Sequence, residues 1–371
     1  MVCHMRAKWF MICLVCAAQC MAQAGRTSCR VEGMVEGTEK CVLLIMPDGA
    51  TDRTGRSDTI PVVDGRFVYD LCVSEPTVWW VRQYGRGGIC NAGVRFFATD
   101  DTIRIDFHPV ADERKPTVSC GSSLNVGLQR ADSAFNAAKN ETRKRYSDSA
   151  DCFNSEEYLR YNRECQKITF RYAEANPTLV GLYYLVSLTR DVELDSTLAD
   201  GPIESLFNAK YARLFPRHGM SMSLRRWIAS RRLHVGGRFI DFTAPDADGQ
   251  RHTLSEEISG RYALIDLWAS WCGPCRKTSV SMIPVYNKYR DSGFTIVGVA
   301  RERSMASFLK ALERDGYPWL SLVDVDDVNG IWELYGKTYA AGGTYLVDRD
   351  GIIVAVDPKA EEVEAILSKA L

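Results

Sequence analysis

The chain has 371 residues, of which 46% are hydrophobic and 25% charged, with a formal net charge of -1. This is the composition of an ordinary folded protein long enough for two or three domains. A balance so close to neutral argues against nucleic acid or an anionic membrane surface as partner, and no block of like charge alters that.

At the N-terminus Arg6 and Lys8 precede an apolar run from Trp9 to Ala18, and Ala22-Gln23-Ala24 supplies small residues at the two positions that a signal peptidase reads. Residues 1–24 therefore read as an export signal cut before Gly25. A membrane-spanning anchor would need about 20 apolar residues, more than this run holds. A lipid anchor on Cys20 is disfavoured, because Gln19 stands where a small residue is expected. The mature chain would carry a net charge of -3 and have no transmembrane span.

Residues 25–120 alternate in short runs broken by turn residues. Val42-Leu43-Leu44-Ile45-Met46, Arg66-Phe67-Val68-Tyr69, Val78-Trp79-Trp80-Val81 and Thr102-Ile103-Arg104-Ile105-Asp106-Phe107 are rich in β-branched and aromatic residues. They predict a small antiparallel, sandwich-like β domain. Trp79 and Trp80 point to opposite faces of one strand, so at least one belongs to the core. Over residues 121–235 the period becomes helical: Leu124, Leu128, Ala131, Phe135 and Ala138 mark one stripe, and Leu179, Leu182, Tyr183 and Val186 another after Asn176-Pro177-Thr178. Charges such as Arg143-Lys144-Arg145 read as solvated helix surface. Val235-Gly236-Gly237 marks a boundary, and residues 236–371 alternate strands with helices, the pattern of a sheet covered by helices. The expected architecture is multidomain: a β domain, a helical region and a C-terminal α/β domain.

Within that last domain, Ala263-Leu264-Ile265-Asp266-Leu267-Trp268 predicts a buried strand, and Trp271-Cys272-Gly273-Pro274-Cys275 leads into a helix that begins near Arg276. Cys272 then sits at the helix N-terminus, where unpaired N–H groups and the helix dipole favour the thiolate, the nucleophile of disulfide exchange. Of 13 cysteines, four (Cys3, Cys13, Cys16 and Cys20) fall in the signal. Besides the pair, Cys29, Cys41, Cys72, Cys90, Cys120, Cys152 and Cys165 remain; seven cannot all pair within the chain, and their irregular spacing is no disulfide framework. Cys-x-x-Cys is also half a zinc site, but no second pair of Cys or His residues follows at ligand spacing, since His108, His218, His234 and His252 stand apart. No bound cofactor or metal is expected.

The segment from Ala263 to Cys275 strongly resembles the active-site segment of the thioredoxin fold and, within it, the TlpA/ResA-type envelope reductases. Phe239 to Gly249 and Tyr345-Leu346-Val347-Asp348-Arg349-Asp350-Gly351 extend the match over residues 236–371. The β and helical regions resemble the N-terminal extension of such proteins in Gram-negative bacteria. The resemblance implies a periplasmic thiol-disulfide oxidoreductase whose redox centre is the Cys272–Cys275 disulfide. Cys272 would attack, Cys275 resolve, and Asp266 accept the proton of Cys275. Trp271 would shield the thiolate and offer a docking surface, and Arg276 would add positive charge or simply sit exposed. Its partners would be protein disulfides, apocytochromes awaiting haem among them, and a membrane electron donor that re-reduces the pair.

Gly-Pro between the cysteines is the dipeptide of thioredoxins with potentials near about -270 mV, against about -120 mV for the oxidising periplasmic type, a gap of ~7 kcal/mol towards donating electrons. Three departures stand out. Where the family has a cis-proline that aligns substrate and keeps metals away, Ala341-Gly342-Gly343-Thr344 occurs, with Gly342 at the proline position. A non-proline cis bond costs ~3 kcal/mol, so a trans, looser substrate-binding loop at Gly342 and Gly343 is expected. Val280 replaces the helix proline, with Pro284 a turn later, and Thr278 replaces the common acid. Two other readings stay open: an envelope binding module whose cysteine pair is a metal or structural site, and a peroxiredoxin-like antioxidant.

Overall fold

The computed structural model describes residues 27–37, 42–48, 57–85, 88–89, 93–109, 116–119, 121–146, 155–191, 194–337 and 342–371. The expected signal, Cys20 with it, lies outside the described residues, as do Cys41, Cys90, Cys120 and Cys152. Two compact units divide the chain, one ending at Met222 and the other starting at Ser223.

In the first unit, β1 (Thr27–Val35), β2 (Val42–Pro47), β3 (Asp58–Ile60), β4 (Arg66–Val73), β5 (Thr77–Gly85), β6 (Gly88–Ile89), β7 (Val94–Ala98), β8 (Thr102–Phe107) and β9 (Thr117–Ser119) form two sheets. One has the order β4-β1-β8-β9; the other runs β3-β2-β5-β6, with β7 also paired to β5. Inward residues of both, among them Val31, Phe67, Ile103 and Phe107 from the first and Leu43, Ile45, Val81 and Phe96 from the second, share one core, which makes the region a sandwich. The small antiparallel β domain expected contains one parallel pairing, β1 with β8, Val31 opposite Ile103. These strands are far apart in sequence and no tight turn joins them, so no local signal dictates their direction. Trp79 packs against the core, while Trp80 is half-buried and donates its Nε1–H to Asp48 at 2.5 Å.

The same unit carries α1 (Ser123–Arg143), α2 (Glu156–Ala175), α3 (Leu179–Leu188), α4 (Ser196–Ala199) and α5 (Pro202–Leu206). Ser122, Ser155 and Thr178 cap α1, α2 and α3 by accepting from the backbone amide three residues on, which satisfies donors that a helix start leaves open. Leu128, Ala131 and Phe135 are buried as the helical stripe requires, and α3 is buried almost all round. Helix α6 (Gly219–Ser230) crosses the division between the units.

The second unit opens with the hairpin β10 (Thr243–Pro245) and β11 (Arg251–Thr253), then α7 (Leu254–Glu257). There follow β12 (Tyr262–Trp268), α8 (Gly273–Tyr289), β13 (Phe294–Glu302), α9 (Met305–Asp315), β14 (Leu320–Val325), α10 (Ile331–Leu334), β15 (Gly343–Val347), β16 (Ile353–Val356) and α11 (Ala360–Ala370). The sheet order is β14-β13-β12-β15-β16. The first three strands are parallel; β15 runs antiparallel to β12, and β16 antiparallel to β15. Strand β12 is central and buried along nearly its whole length, which is why it reads as a continuous apolar run. Met282 and Val285 of α8 and Val363 and Leu367 of α11 cover one face; Phe308 of α9 and Trp332 of α10 cover the other. This is the thioredoxin-like fold, preceded by a sheet domain and a helical region, the multidomain layout expected above.

Candidate active site

Cys272 lies in the turn between β12 and α8 and is the N-cap residue of that helix. The turn is closed by the amide of Cys272, which donates to the carbonyl of Ala269 at 3.0 Å. Glu302, buried at the end of β13, accepts from both the amide and the hydroxyl of Ser270, so a carboxylate from the neighbouring strand anchors the loop that carries Trp271 and Cys272.

Cys272 and Cys275 are joined in a disulfide, with Cα atoms 5.3 Å apart. They are 5% and 8% exposed. The Sγ of Cys272 accepts from the amide of Cys275 at 3.3 Å, the capping bond that a helix start offers to an anion. Gly342 meets the pair from the other side, donating its amide N–H to the Sγ of Cys275 at 3.2 Å. Gly343, the next residue, starts β15 and pairs with Leu267. Of the loop just before them, residues 338–341 lie outside the described residues.

Asp266 is 3% exposed and faces the underside of α8. Its register neighbours are Gly298 on β13 and Thr344 on β15, so neither strand sets a charge beside it. The hydroxyl of Ser279, one turn beyond Cys275, donates to its Oδ2 at 2.6 Å and also reaches the carbonyl of Cys275 at 3.1 Å. Burial pushes the carboxyl up to about 7, only partly opposed by the Ser279 bond. A carboxyl poised there can both hold and release a proton near neutrality, as a general base requires.

Trp271 is 59% exposed, its ring 6.0 Å from that of Trp332. Arg276 is neither an exposed helix arginine nor a free charge: its guanidinium pairs with Asp315, Nε to Oδ2 at 2.6 Å. That bond raises the arginine and holds the Asp315 carboxyl below its ordinary range. Tyr317 donates to the same carboxylate at 2.9 Å.

The structure thus brings Asp266, Cys272, Cys275 and Gly342 to one place, sets Trp271 on the rim and pairs Gly343, at the start of β15, with Leu267 of β12. Ser279 and Glu302 were missed in the sequence. Ser279 is legible only as a hydroxyl four residues after Cys275, on the same helix face; Glu302 carries no local signal, because only the parallel pairing of β12 and β13 brings it to Ser270. Among the described residues, no group of three or more His, Cys, Asp or Glu side chains is placed to hold a metal. Cys72 is disulfide-bonded, whereas Cys29 and Cys165 are free and buried, and burial raises both thiols.

Residues 235–356 match the AhpC/TSA family. The thiol:disulfide interchange protein DsbE of Allochromatium vinosum is 31% identical over 139 residues, 35% of this chain and 73% of that protein. The thiol-disulfide oxidoreductase ResA of Bacillus anthracis is 23% identical over 144 residues, 37% of this chain and 79% of that protein. Among solved structures, the thioredoxin domain of a thiol-disulfide oxidoreductase from Bacteroides vulgatus shares 31% identity with a TM-score of 0.34, covering 37% of this chain and 98% of that one.

Proposed function

Because the chain belongs to the thioredoxin-like thiol-disulfide oxidoreductases, alongside DsbE and ResA, we propose that it works in the periplasm as a reductase of protein disulfides through Cys272 and Cys275. The observation that carries this reading is the buried Asp266, raised to about 7 and tied through Ser279 to the backbone of Cys275. A purely structural disulfide has no use for an ionisable acid sealed behind it at that cost.

In the reduced protein the thiolate of Cys272, stabilised at the start of α8, attacks one sulfur of a substrate disulfide. A mixed disulfide forms and the other substrate sulfur leaves with the electron pair. Asp266 as carboxylate takes the proton of Cys275, which then attacks Cys272 Sγ; the intramolecular disulfide closes and the reduced substrate departs. The pair is itself the redox centre, so a dithiol donor must return it to the reduced state, and a membrane protein is the natural source of such electrons in an exported enzyme. Trp271, exposed beside the pair, offers an apolar face to the substrate. Apocytochromes, whose cysteines must be reduced before haem attachment, are a substrate class that the resemblance to the TlpA/ResA-type envelope reductases implies.

The test is reduction of a protein disulfide with a dithiol as terminal donor, alongside the potential of the pair. Activity lost in Cys272→Ser, with a potential nearer that of thioredoxin than that of an oxidase, is the expected result. Equal rates in both proteins would sink the reading. Stoichiometric metal lost in Cys272→Ser would favour the binding module instead, and rapid peroxide consumption the antioxidant.

A further inference from the structure

Each of the two reacting sulfurs is met by one backbone N–H: that of Cys275 on the Sγ of Cys272, and that of Gly342 on the Sγ of Cys275. The first follows from the helix start. The second depends on a residue with two properties together. A Cβ at position 342 would stand 1.7 Å from the carbonyl oxygen of Leu267 and 3.1 Å from the Sγ of Cys275, so the backbone comes this close only because the residue is glycine. Proline, the residue that the resemblance leads one to expect here, has no N–H to give. We propose that the Gly342 amide is a catalytic donor of the redox pair, taking up the negative charge that gathers on the Cys275 sulfur whenever the Cys272–Cys275 bond breaks. The inference rests on the disulfide-exchange reading and deepens it.

The step that profits is re-reduction. A thiolate of the donor dithiol attacks the Sγ of Cys272; a bond forms between those sulfurs, the Cys272–Cys275 bond breaks, and its electron pair leaves on Cys275. The donor's second thiol, deprotonated, then displaces Cys272 as thiolate and the donor ends as a disulfide. Exchange quickens as the leaving sulfur becomes a better anion. Neutral sulfur is a weak acceptor and a thiolate a strong one, so the N–H···S bond strengthens as the charge forms, the condition for accelerating a step rather than merely stabilising the fold. The same bond opposes Cys275 when it must act as nucleophile. Gly342 therefore biases the centre towards rapid recharging, while Asp266 serves the resolving direction.

The experiment uses the full-length Cys272→Ser protein labelled with 15N-glycine, its amide proton shifts followed as pH is raised until Cys275 ionises. The Cys272→Ser/Cys275→Ser protein, in which Asp266 titrates without a thiol, is the control. The Gly342 signal is expected to move downfield with the midpoint of thiolate ultraviolet absorbance, and not in the control. An amide unmoved by Cys275 ionisation overturns the donor role. In parallel, Gly342→Pro is compared with Gly342→Ala, which carries the same Cβ but keeps the N–H: the proline variant is expected to be reduced by dithiothreitol roughly tenfold more slowly than the alanine variant, the lower bound for losing one hydrogen bond to a charged group, and to ionise Cys275 at higher pH. The same rate and titration in both variants would equally overturn it; should either not fold, the amide response decides. Wild-type protein that exchanges with no dithiol would overturn the reading on which the proposal rests, not the hydrogen bond.

Discussion

Asp48 in the first unit and Asp266 in the second are each 3% exposed, yet their surroundings have little in common. Asp48 is held by the guanidinium of Arg190 at 2.6 Å, the hydroxyl of Tyr183 at 3.1 Å and the indole of Trp80 at 2.5 Å. Asp266 has one hydroxyl and, among the described residues, no cation in ion-pair reach. An acid sealed with a cation and donors, as Asp48 is, ties strands to a helix through those bonds. One sealed with a single neutral donor meets its desolvation alone, and its pKa rises towards neutrality. What distinguishes a structural acid from a chemical one is the company it keeps, and burial alone does not tell them apart.

The largest test of that contrast lies at the Cys272–Cys275 pair, beside which Asp266 is buried. Cys272→Ser is expected to reduce turnover of a protein disulfide to background, whereas Cys275→Ser retains a single attack and accumulates mixed disulfides visible on a non-reducing gel. Next, Asp266→Asn should slow turnover about a hundredfold, the low end of general-base contributions. It should also flatten a pH–rate profile that in the wild type rises through about 7 as the carboxylate forms. The same substitution should stabilise the fold. The folded acid is raised from 3.8 to about 7, so between those values the unfolded chain binds fewer protons than the folded one, and stability falls as pH rises. Asp266→Asn removes this loss: little change is expected in denaturant melts near pH 4, and a gain of up to ~4 kcal/mol above pH 7. A variant no more stable at pH 8 than at pH 4, relative to wild type, would contradict an unpaired acid.

At Asp48 the sign reverses. Arg190→Ala should cost about 2–3 kcal/mol of stability, somewhat below the cost of breaking a fully buried pair because Arg190 is partly exposed, and leave turnover per folded molecule unchanged. The smallest effect is expected from Ser279→Ala. Losing the one bond that favours the charged form should move the rise in the pH–rate profile to higher pH without flattening it as Asp266→Asn does.

Much of this could be read in the chain before folding. Cys272 and Cys275, the apolar run 263–268 and the helix after it are local, so their pattern carries both the strand-to-helix turn and the capping of Cys272. The helix start at Thr178 and the stripes of α1 and α3 are local too, and the hairpin around Asp246 to Gly249 forms as the turn residues require. The parallel pairing of β1 with β8 was not legible, because it joins segments some seventy residues apart. Arg276 reads as an exposed helix arginine until the fold brings Asp315 from the end of α9.

The sequence by itself determined the chemistry available: two thiols at a helix start, an acid in the strand behind them, and a glycine where a proline is expected. Only the tertiary structure decided what each meets. Packing of α8 over β12 removes water from Asp266 and supplies Ser279, and the antiparallel return of β15 brings the amide of Gly342 within 3.2 Å of the Cys275 sulfur. Residue type sets what a group can donate, accept or ionise, but solvent exclusion and partner distance set its charge, and those exist only once distant segments pack.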